Sequence, residues 1–261
     1  MQAEYDRCMH WFNGCNTPAR SGEGPRRAVY LFGDSHASTV APAVMAAFDG
    51  AASVVWSAAG FSCGYLSMEL DEFVREIRNQ DDGWKKDACE EACRCFNNAA
   101  DAALEQTLEP CDVVIICNHH LKFANNMDQV RAQQERLRTL QAIVERKGAH
   151  LVFLGDVPGV QQQATMCSAS SAMAASCERS LDLIQQEFAH ERLIYTEVAS
   201  GHSSTFYIPV YELLCTADKC GVYIPGTTTV AYADTDHLTN AGAMYLWPFI
   251  AAFFVEHGLM A

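Results

Sequence analysis

The chain has 261 residues, of which 49% are hydrophobic and 19% charged. That balance excludes a disordered or collagen-like polypeptide and is enough for one large core. Lys and Arg number 18 against 32 Asp and Glu, a formal net charge of −14, and the basic residues cluster no further than the pairs Arg26-Arg27 and Lys85-Lys86. Nucleic acid and anionic membrane are therefore poor partners.

Read in chain order, apolar runs alternate with amphipathic or Ala-rich stretches. Residues 28–32 (AVYLF) form a short apolar run closed by Gly33, as expected of a buried parallel strand. Residues 37–48 are Ala-rich and predicted helical. A second strand is expected over 53–57 (SVVWS). Residues 68–108 are polar, helical and Cys-bearing. The third strand, 112–117 (DVVIIC), is the clearest. An amphipathic helix follows over 128–147, with Val130, Leu137, Leu140 and Val144 on one face. The fourth strand is 150–154 (HLVFL), ended by Gly155, Asp156 and Pro158.

Residues 161–176 are low-complexity Gln/Ala/Ser. A helix is expected over 178–190, a fifth strand over 193–197 (LIYTE), and a small hairpin over 221–231 around Pro225-Gly226. The final helix spans 238–257. It contains the most apolar stretch, 241–255, which is too short to cross a membrane and reads as buried. Trp56 and Trp247 are read as core. Five strands with intervening helices predict a single-domain three-layer α/β/α sandwich around a five-stranded parallel sheet. Residues 1–27 are an N-terminal Cys-bearing extension and residues 28–261 the domain proper.

Twelve cysteines are many for this length. Short separations in polar, loop-like sequence at Cys8/Cys15, Cys167/Cys177 and Cys215/Cys220 point to disulfides and an oxidising compartment. The rival reading is a zinc knuckle around Cys89, Cys93 and Cys95, which lacks a clean second Cys-x-x-Cys pair. Residues 1–10 (MQAEYDRCMH) have neither the basic nor the apolar region of a signal peptide. An exported domain would therefore take its targeting segment from a longer parent chain.

In open parallel sheets, ligands bind beyond the carboxyl ends of the strands. At the first of these ends stands Gly33-Asp34-Ser35-His36. Gly33 is expected to allow a sharp turn with unusual dihedrals, leaving the Ser35 hydroxyl exposed at a helix N-terminus among outward-pointing N–H groups. Near the other end of the chain, Asp234 and His237 lie three residues apart just before the last helix. One turn can bring that carboxylate to the imidazole. Taken singly, each motif also reads as capping, with Ser35, Asp236 or Thr239 as the cap. Together they supply a nucleophile, a base and a carboxylate in the order Ser…Asp…His.

These two motifs resemble the first and last sequence blocks of the SGNH (GDSL-type) hydrolase superfamily, whose fold is flavodoxin-like. The closer resemblance is to the SGNH domain fused behind the membrane acyltransferase-3 domain of bacterial glycan O-acetyltransferases. It is carried by LFGDSHA (31–37), the Cys-bearing loop 60–64, the Asp156-Val-Pro158 turn, Leu214-Cys215…Cys220 and the ending Y-x-D-x-D-H-L-T (232–239). The resemblance implies Ser35 as nucleophile, His237 as general base and Asp234 as its orienting partner. The Ser35 N–H and an N–H from the Gly60 loop would then contribute to an oxyanion hole. The superfamily's third donor is an Asn in a Gly-x-Asn-Asp block. Here the corresponding stretch is Cys117-Asn118-His119-His120, which leaves Asn118 as the candidate. His36, His119 and His120 are candidates for contacts with substrate. His119 and His120 point opposite ways in extended chain, and no carboxylate lies at ligand spacing, so a metal site is not expected there. No cofactor is implied.

The expected activity is a serine-dependent ester hydrolase or O-acyltransferase acting on small acyl groups, acetyl foremost, carried by carbohydrate. A membrane acyltransferase domain would be its partner in the parent chain. The alternative is a catalytically inactive glycan-binding module on the same fold. The expected location is extracellular, periplasmic or lumenal. Cys63 is expected to bridge one of Cys89, Cys93 or Cys95.

Overall fold

The computed structural model describes residues 15–18, 27–48, 54–59, 100–119 and 126–260. The main sheet has six strands. In chain order these are β1 (Cys15–Pro18), β2 (Ala28–Gly33), β3 (Val54–Ala59), β4 (Val113–Cys117), β5 (His150–Leu154) and β7 (Thr205–Ile208), arranged β1-β3-β2-β4-β5-β7. The pairings from β3 to β7 are all parallel, and β1 adds an antiparallel edge on β3. The five parallel strands are thus in the flavodoxin-like order, with one strand more than the sequence leads one to expect.

Alternation along the central strands makes the three layers. Val29 and Leu31 of β2, Val113 and Ile115 of β4, and Val152 and Leu154 of β5 point to one face. There α1 (Ser35–Ala47) and α8 (Asn240–Glu256) pack against them through Val40, Val44, Leu246 and Ile250. Tyr30, Phe32, Val114, Ile116, Leu151 and Phe153 point to the other face. They meet α2 (Met127–Arg146), α6 (Ala189–Ala199) and the helical residues 100–107. The α2 residues Val130, Leu137, Leu140 and Val144 are all fully buried, so the expected face is the one that packs. Helix α8 is apolar all round but packs on one side only. Trp247, read as core, is 39% exposed, because it lies on the side of α8 away from α1 and the sheet.

The second correction concerns the fifth strand. Residues 193–197 lie inside helix α6, and the fifth parallel strand is β7, which follows it. Glu191, Ile194, Tyr195 and Val198 are buried along one side of α6, at helical spacing. The apolar run LIYTE conceals that period because one of the inward residues is a glutamate.

The low-complexity stretch folds into two short helices, α3 (Ala164–Cys167) and α4 (Ser171–Ser176), closed by a Cys167–Cys177 disulfide. Where one helix was expected over 178–190, β6 (Arg179–Ser180) leads into α5 (Leu181–Glu187). After α7 (Val210–Leu213), β8 (Lys219–Cys220) pairs with β6, and a second disulfide joins Cys215 to Cys220. The expected hairpin forms. Tyr223 and Val230 bridge, and the turn passes through Gly226 at a positive φ of 76°. The cysteines at 8, 63, 89, 93 and 95 lie outside the described residues.

Candidate active site

The chain leaves β2 for β3 on one flank and then crosses to β4 on the other, so the carboxyl end of β2 is the point where strand order reverses. Crevices in such sheets open there. Gly33 closes β2 and pairs with Cys117 of β4. Its φ is not positive, contrary to the expected unusual turn. The reason for glycine is space: a Cβ would lie 1.8 Å from the Cys117 carbonyl oxygen and 2.7 Å from the Ala37 Cβ. Glycine lets β2 and β4 close up at the point where the chain turns into α1.

Asp34, not Ser35, caps α1. One Asp34 oxygen accepts the His36 N–H at 2.9 Å, and the other accepts the His119 N–H at 2.8 Å. The carboxylate therefore fixes the helix start and ties down the chain leaving β4. Ser35 is left as the first helical residue, where the backbone N–H groups have no partner within the helix. Thr239 caps α8 through a 3.0 Å bond from the Gly242 N–H, as one reading of that motif anticipated.

That capping does not leave His237 idle in solvent. Its Nε2 lies 2.8 Å from the Ser35 Oγ and its Nδ1 lies 2.8 Å from an Asp234 oxygen. A carboxylate can only accept, so the proton sits on Nδ1 and Nε2 is free to accept the serine hydroxyl. The other Asp234 oxygen accepts the backbone N–H groups of Asp236 (3.0 Å) and His237 (2.8 Å). Burial works against the Asp234 charge, but those two N–H groups and His237 outweigh it and hold its pKa below the ordinary carboxylate value. The loop is anchored from outside as well. Val160 donates to the Thr235 carbonyl at 2.6 Å and Ala164 to the Asp234 carbonyl at 3.1 Å. Gly159, at a φ of 66°, permits the close approach, since a Cβ there would stand 2.9 Å from the Thr235 oxygen.

The structure also brings together residues that sequence reasoning does not join. Asp156, buried just beyond β5, holds the Nδ1 of His36 at 2.6 Å and the Nδ1 of His119 at 2.7 Å on its two oxygens. The two imidazoles stack with centroids 3.9 Å apart. Their far nitrogens face Asp236, His36 at 4.0 Å and His119 at 3.5 Å. Burial alone would push the His36 pKa down. The Asp156 charge and hydrogen bond, with Asp34 and Asp236, more than reverse that and raise it. Asp156 is in turn placed by Glu191, which is fully buried and accepts the Asp156 N–H at 3.2 Å. The turn at Asp156 is visible in the sequence, but nothing local ties it to His36, which lies 120 residues away.

Of the other expected site residues, Asn118 is buried at the end of β4, level with the turn into α1. His36 is also buried, and His119 is mostly so. Gly60 and His120 lie outside the described residues. Two groupings have the chemistry of metal ligands: His36, Asp236 and His237, and His36, His119 and Asp156. The Nδ1 atoms of His36 and His119 are committed to Asp156 and both nitrogens of His237 to Ser35 and Asp234, while the Nε2 atoms of His36 and His119 face Asp236. A cation would have to displace those bonds to bind.

The sequence profile described as "SGNH domain (fused to AT3 domains)" matches residues 4–252. The chain belongs to this SGNH family. No curated protein matches it. A solved structure similar to this SGNH domain is that of the periplasmic domain of a Salmonella ser. Paratyphi A lipopolysaccharide acetyltransferase. It aligns at a TM-score of 0.62 and 15% identity, over 89% of this chain and 85% of that one. The likeness establishes that the two share a fold. Among the described residues no helix is long and apolar enough to cross a membrane.

Proposed function

We propose that this SGNH domain cleaves or transfers a small acyl group, acetyl foremost, on a carbohydrate hydroxyl through a covalent acyl-serine. The observation that carries the reading is the continuous chain Ser35 Oγ–His237 Nε2 and His237 Nδ1–Asp234, each contact at 2.8 Å. Ser35 Oγ attacks the acyl carbonyl carbon while its proton passes to His237 Nε2. Asp234 holds the ring orientation and stabilises the imidazolium that results. Collapse of the tetrahedral intermediate expels the alcohol oxygen, which takes the proton from Nε2. Water or a sugar hydroxyl then gives a proton to Nε2 and attacks the acyl-serine, and the second tetrahedral intermediate collapses with Nε2 returning that proton to Ser35 Oγ as acid or acylated sugar is released. The Ser35 N–H at the start of α1 and Asn118 serve as oxyanion donors.

Transfer to sugar is supported by the family's fusion to AT3 membrane domains and by the similarity in fold to a lipopolysaccharide acetyltransferase domain. The AT3 domain would be the partner in the parent chain. The disulfides Cys167–Cys177 and Cys215–Cys220 support an oxidising, extracytoplasmic location. The test is hydrolysis of p-nitrophenyl acetate by the wild type and by Ser35→Ala. The variant should stay folded and lose roughly 10³-fold or more in rate, and a serine-directed phosphonate should label Ser35 alone. Unchanged hydrolysis in the variant would sink the triad assignment, and a wild type that neither hydrolyses the ester nor takes up the phosphonate would leave a glycan-binding module.

A further inference from the structure

The tip of the Asp234–His237 loop is not held by packing. Ala231, Tyr232 and Leu238 are buried, but no side chain from Ala233 to His237 is. Within the loop, Ala233 donates to the His237 carbonyl at 2.7 Å and Thr239 to the Ala231 carbonyl at 2.8 Å. Those bonds give the loop its own shape. They do not set where its tip stands relative to Ser35, which starts α1 at the end of β2. Two bonds from outside do that, from the Val160 N–H to the Thr235 carbonyl and from the Ala164 N–H to the Asp234 carbonyl. Both donors lie on the segment that follows β5.

That segment is itself poor in side chains to bury. From Gln161 to Cys177, only Ala164, Cys167, Ala174 and Cys177 are buried. Helices α3 and α4 have four and six residues, too short to persist unaided. The Cys167–Cys177 bond joins them, and both half-cystines are fully buried in the core that also takes in Val157, Val160 and Tyr232. Two further contacts tie the segment down. The Arg179 guanidinium donates to the Pro158 carbonyl at 3.0 Å and pairs with Glu187. The Tyr223 hydroxyl, on the hairpin that leads into the Asp234 loop, donates to the Ser168 carbonyl at 3.4 Å.

We infer that Cys167 and Cys177 are positioning residues, whose disulfide braces residues 158–179 so that Val160 and Ala164 keep Asp234, and with it His237, within reach of Ser35. This rests on the acyl-serine reading for its effect on rate, while the mechanical coupling between brace and loop exists whether or not the domain turns over an ester. The Gln/Ala/Ser composition of 161–176 fits the role: these residues supply backbone and a solvent-facing surface, and the cystine supplies the stiffness. The other disulfide has no such part. Cys220 is buried with Ile184, Phe188 and Tyr211, in a cluster separate from the core beneath the Asp234 loop. The two cross-links therefore differ in what they hold, although both constrain the unfolded chain.

The experiment compares Cys167→Ser/Cys177→Ser with Cys215→Ser/Cys220→Ser in the whole chain. Thermal melts give the Tm of each, and kinetics and amide hydrogen exchange are then run well below the lower one. Loss of the brace should lower kcat for p-nitrophenyl acetate about tenfold with KM unchanged. It should slow phosphonate labelling of Ser35 by a similar factor and speed exchange of the amides at 160, 164 and 233–237. The Cys215→Ser/Cys220→Ser variant should lose stability but keep the wild-type kcat and the wild-type exchange at 233–237. Ala164→Pro is a second route that leaves the disulfide in place. Residue 164 is the first of α3, and the ψ of 131° at Gln163 is one that a residue preceding proline takes, so the backbone accepts the ring while the N–H to Asp234 is lost. It too should lower kcat with KM unchanged. A folded Cys167→Ser/Cys177→Ser or Ala164→Pro variant with full kcat, an equal fall in kcat from the Cys215→Ser/Cys220→Ser variant, or unaltered exchange at 233–237 overturns the brace. Should Cys167→Ser/Cys177→Ser fail to fold, Ala164→Pro decides. If hydrolysis persists in Ser35→Ala, the acyl-serine reading fails, and exchange at 233–237 still decides the brace on its own.

Discussion

Replacing Gly33 by alanine separates two roles that a glycine can have. In an open site at ordinary φ, Gly→Ala stabilises by about 0.4–1 kcal/mol, because the unfolded chain loses freedom. Gly33 has an ordinary φ, but the new methyl would lie 1.8 Å from the Cys117 carbonyl oxygen. Contact with backbone begins near 3.0 Å, so β2 and β4 must part by at least about 1.2 Å. A carbonyl in a parallel ladder cannot rotate away as a side chain would. Overpacking of this kind costs about 1–3 kcal/mol, and the loosened end of the ladder adds to it. We expect a net loss of about 3 kcal/mol, read as a fall in Tm of roughly 6–12 °C for a chain of this size. Ser35 stands two residues further on and moves with the strand end. A displacement near 1 Å costs on the order of 10²-fold in rate, so kcat/KM for p-nitrophenyl acetate should drop by about that factor. Thermal melts and initial rates on the same preparation are sufficient. A variant as stable as or more stable than the parent would refute the close-approach argument. Lost stability with an intact kcat would refute the link between β2–β4 spacing and Ser35.

The disulfides offer a second check. Cys167–Cys177 and Cys215–Cys220 close loops of sequence separation 10 and 5, so each constrains the unfolded chain by roughly 2–3 kcal/mol. Serine replacement of either pair should lower Tm accordingly, and thiol titration of the denatured chain without reductant should find all four of these sulfurs unreactive. Stability should also vary with pH. The raised His36 value means its contribution is complete below the free-histidine pKa of about 6.5 and is lost as pH rises through the folded value. The lowered Asp234 value means its contribution is present above about 3.9 and is lost as pH falls through the folded value. Denaturant titrations across pH should therefore show a broad maximum between these limits, and His36→Gln should flatten its alkaline side.

The sequence is most readable where chemistry is local. Apolar runs at 28–32, 112–117 and 150–154 need only composition and bounding residues to declare themselves as buried strands. Asp234 and His237 are legible because one turn brings them together. Residues 193–197 mislead because an inward-facing Glu191 breaks the apolar period of α6, while the real fifth strand, TFYI, is only four residues long. Gly33 stands out in the sequence for the wrong property: steric closeness to Cys117 depends on a partner strand that no local pattern names. The roles of Asp34, Asp156 and Asp236 stay hidden for the same reason. Each acts on histidines carried by another part of the chain, and a polar residue in a loop has no periodicity to betray a distant partner.

The separations in that network carry a consequence for how the molecule acquires its shape. Ser35 and His237 are 202 residues apart, His36 and Asp156 are 120 apart, and Asp34 and His119 are 85 apart. Every one of these contacts closes a long loop, so none can form until β2, β4 and β5 have found their register and the segment before α8 has docked. Chains whose decisive contacts are this non-local fold slowly. During refolding, helical signal should return well before the ability to react with a serine-directed phosphonate. Labelling of Ser35 would then gauge completed topology, where circular dichroism reports only secondary structure.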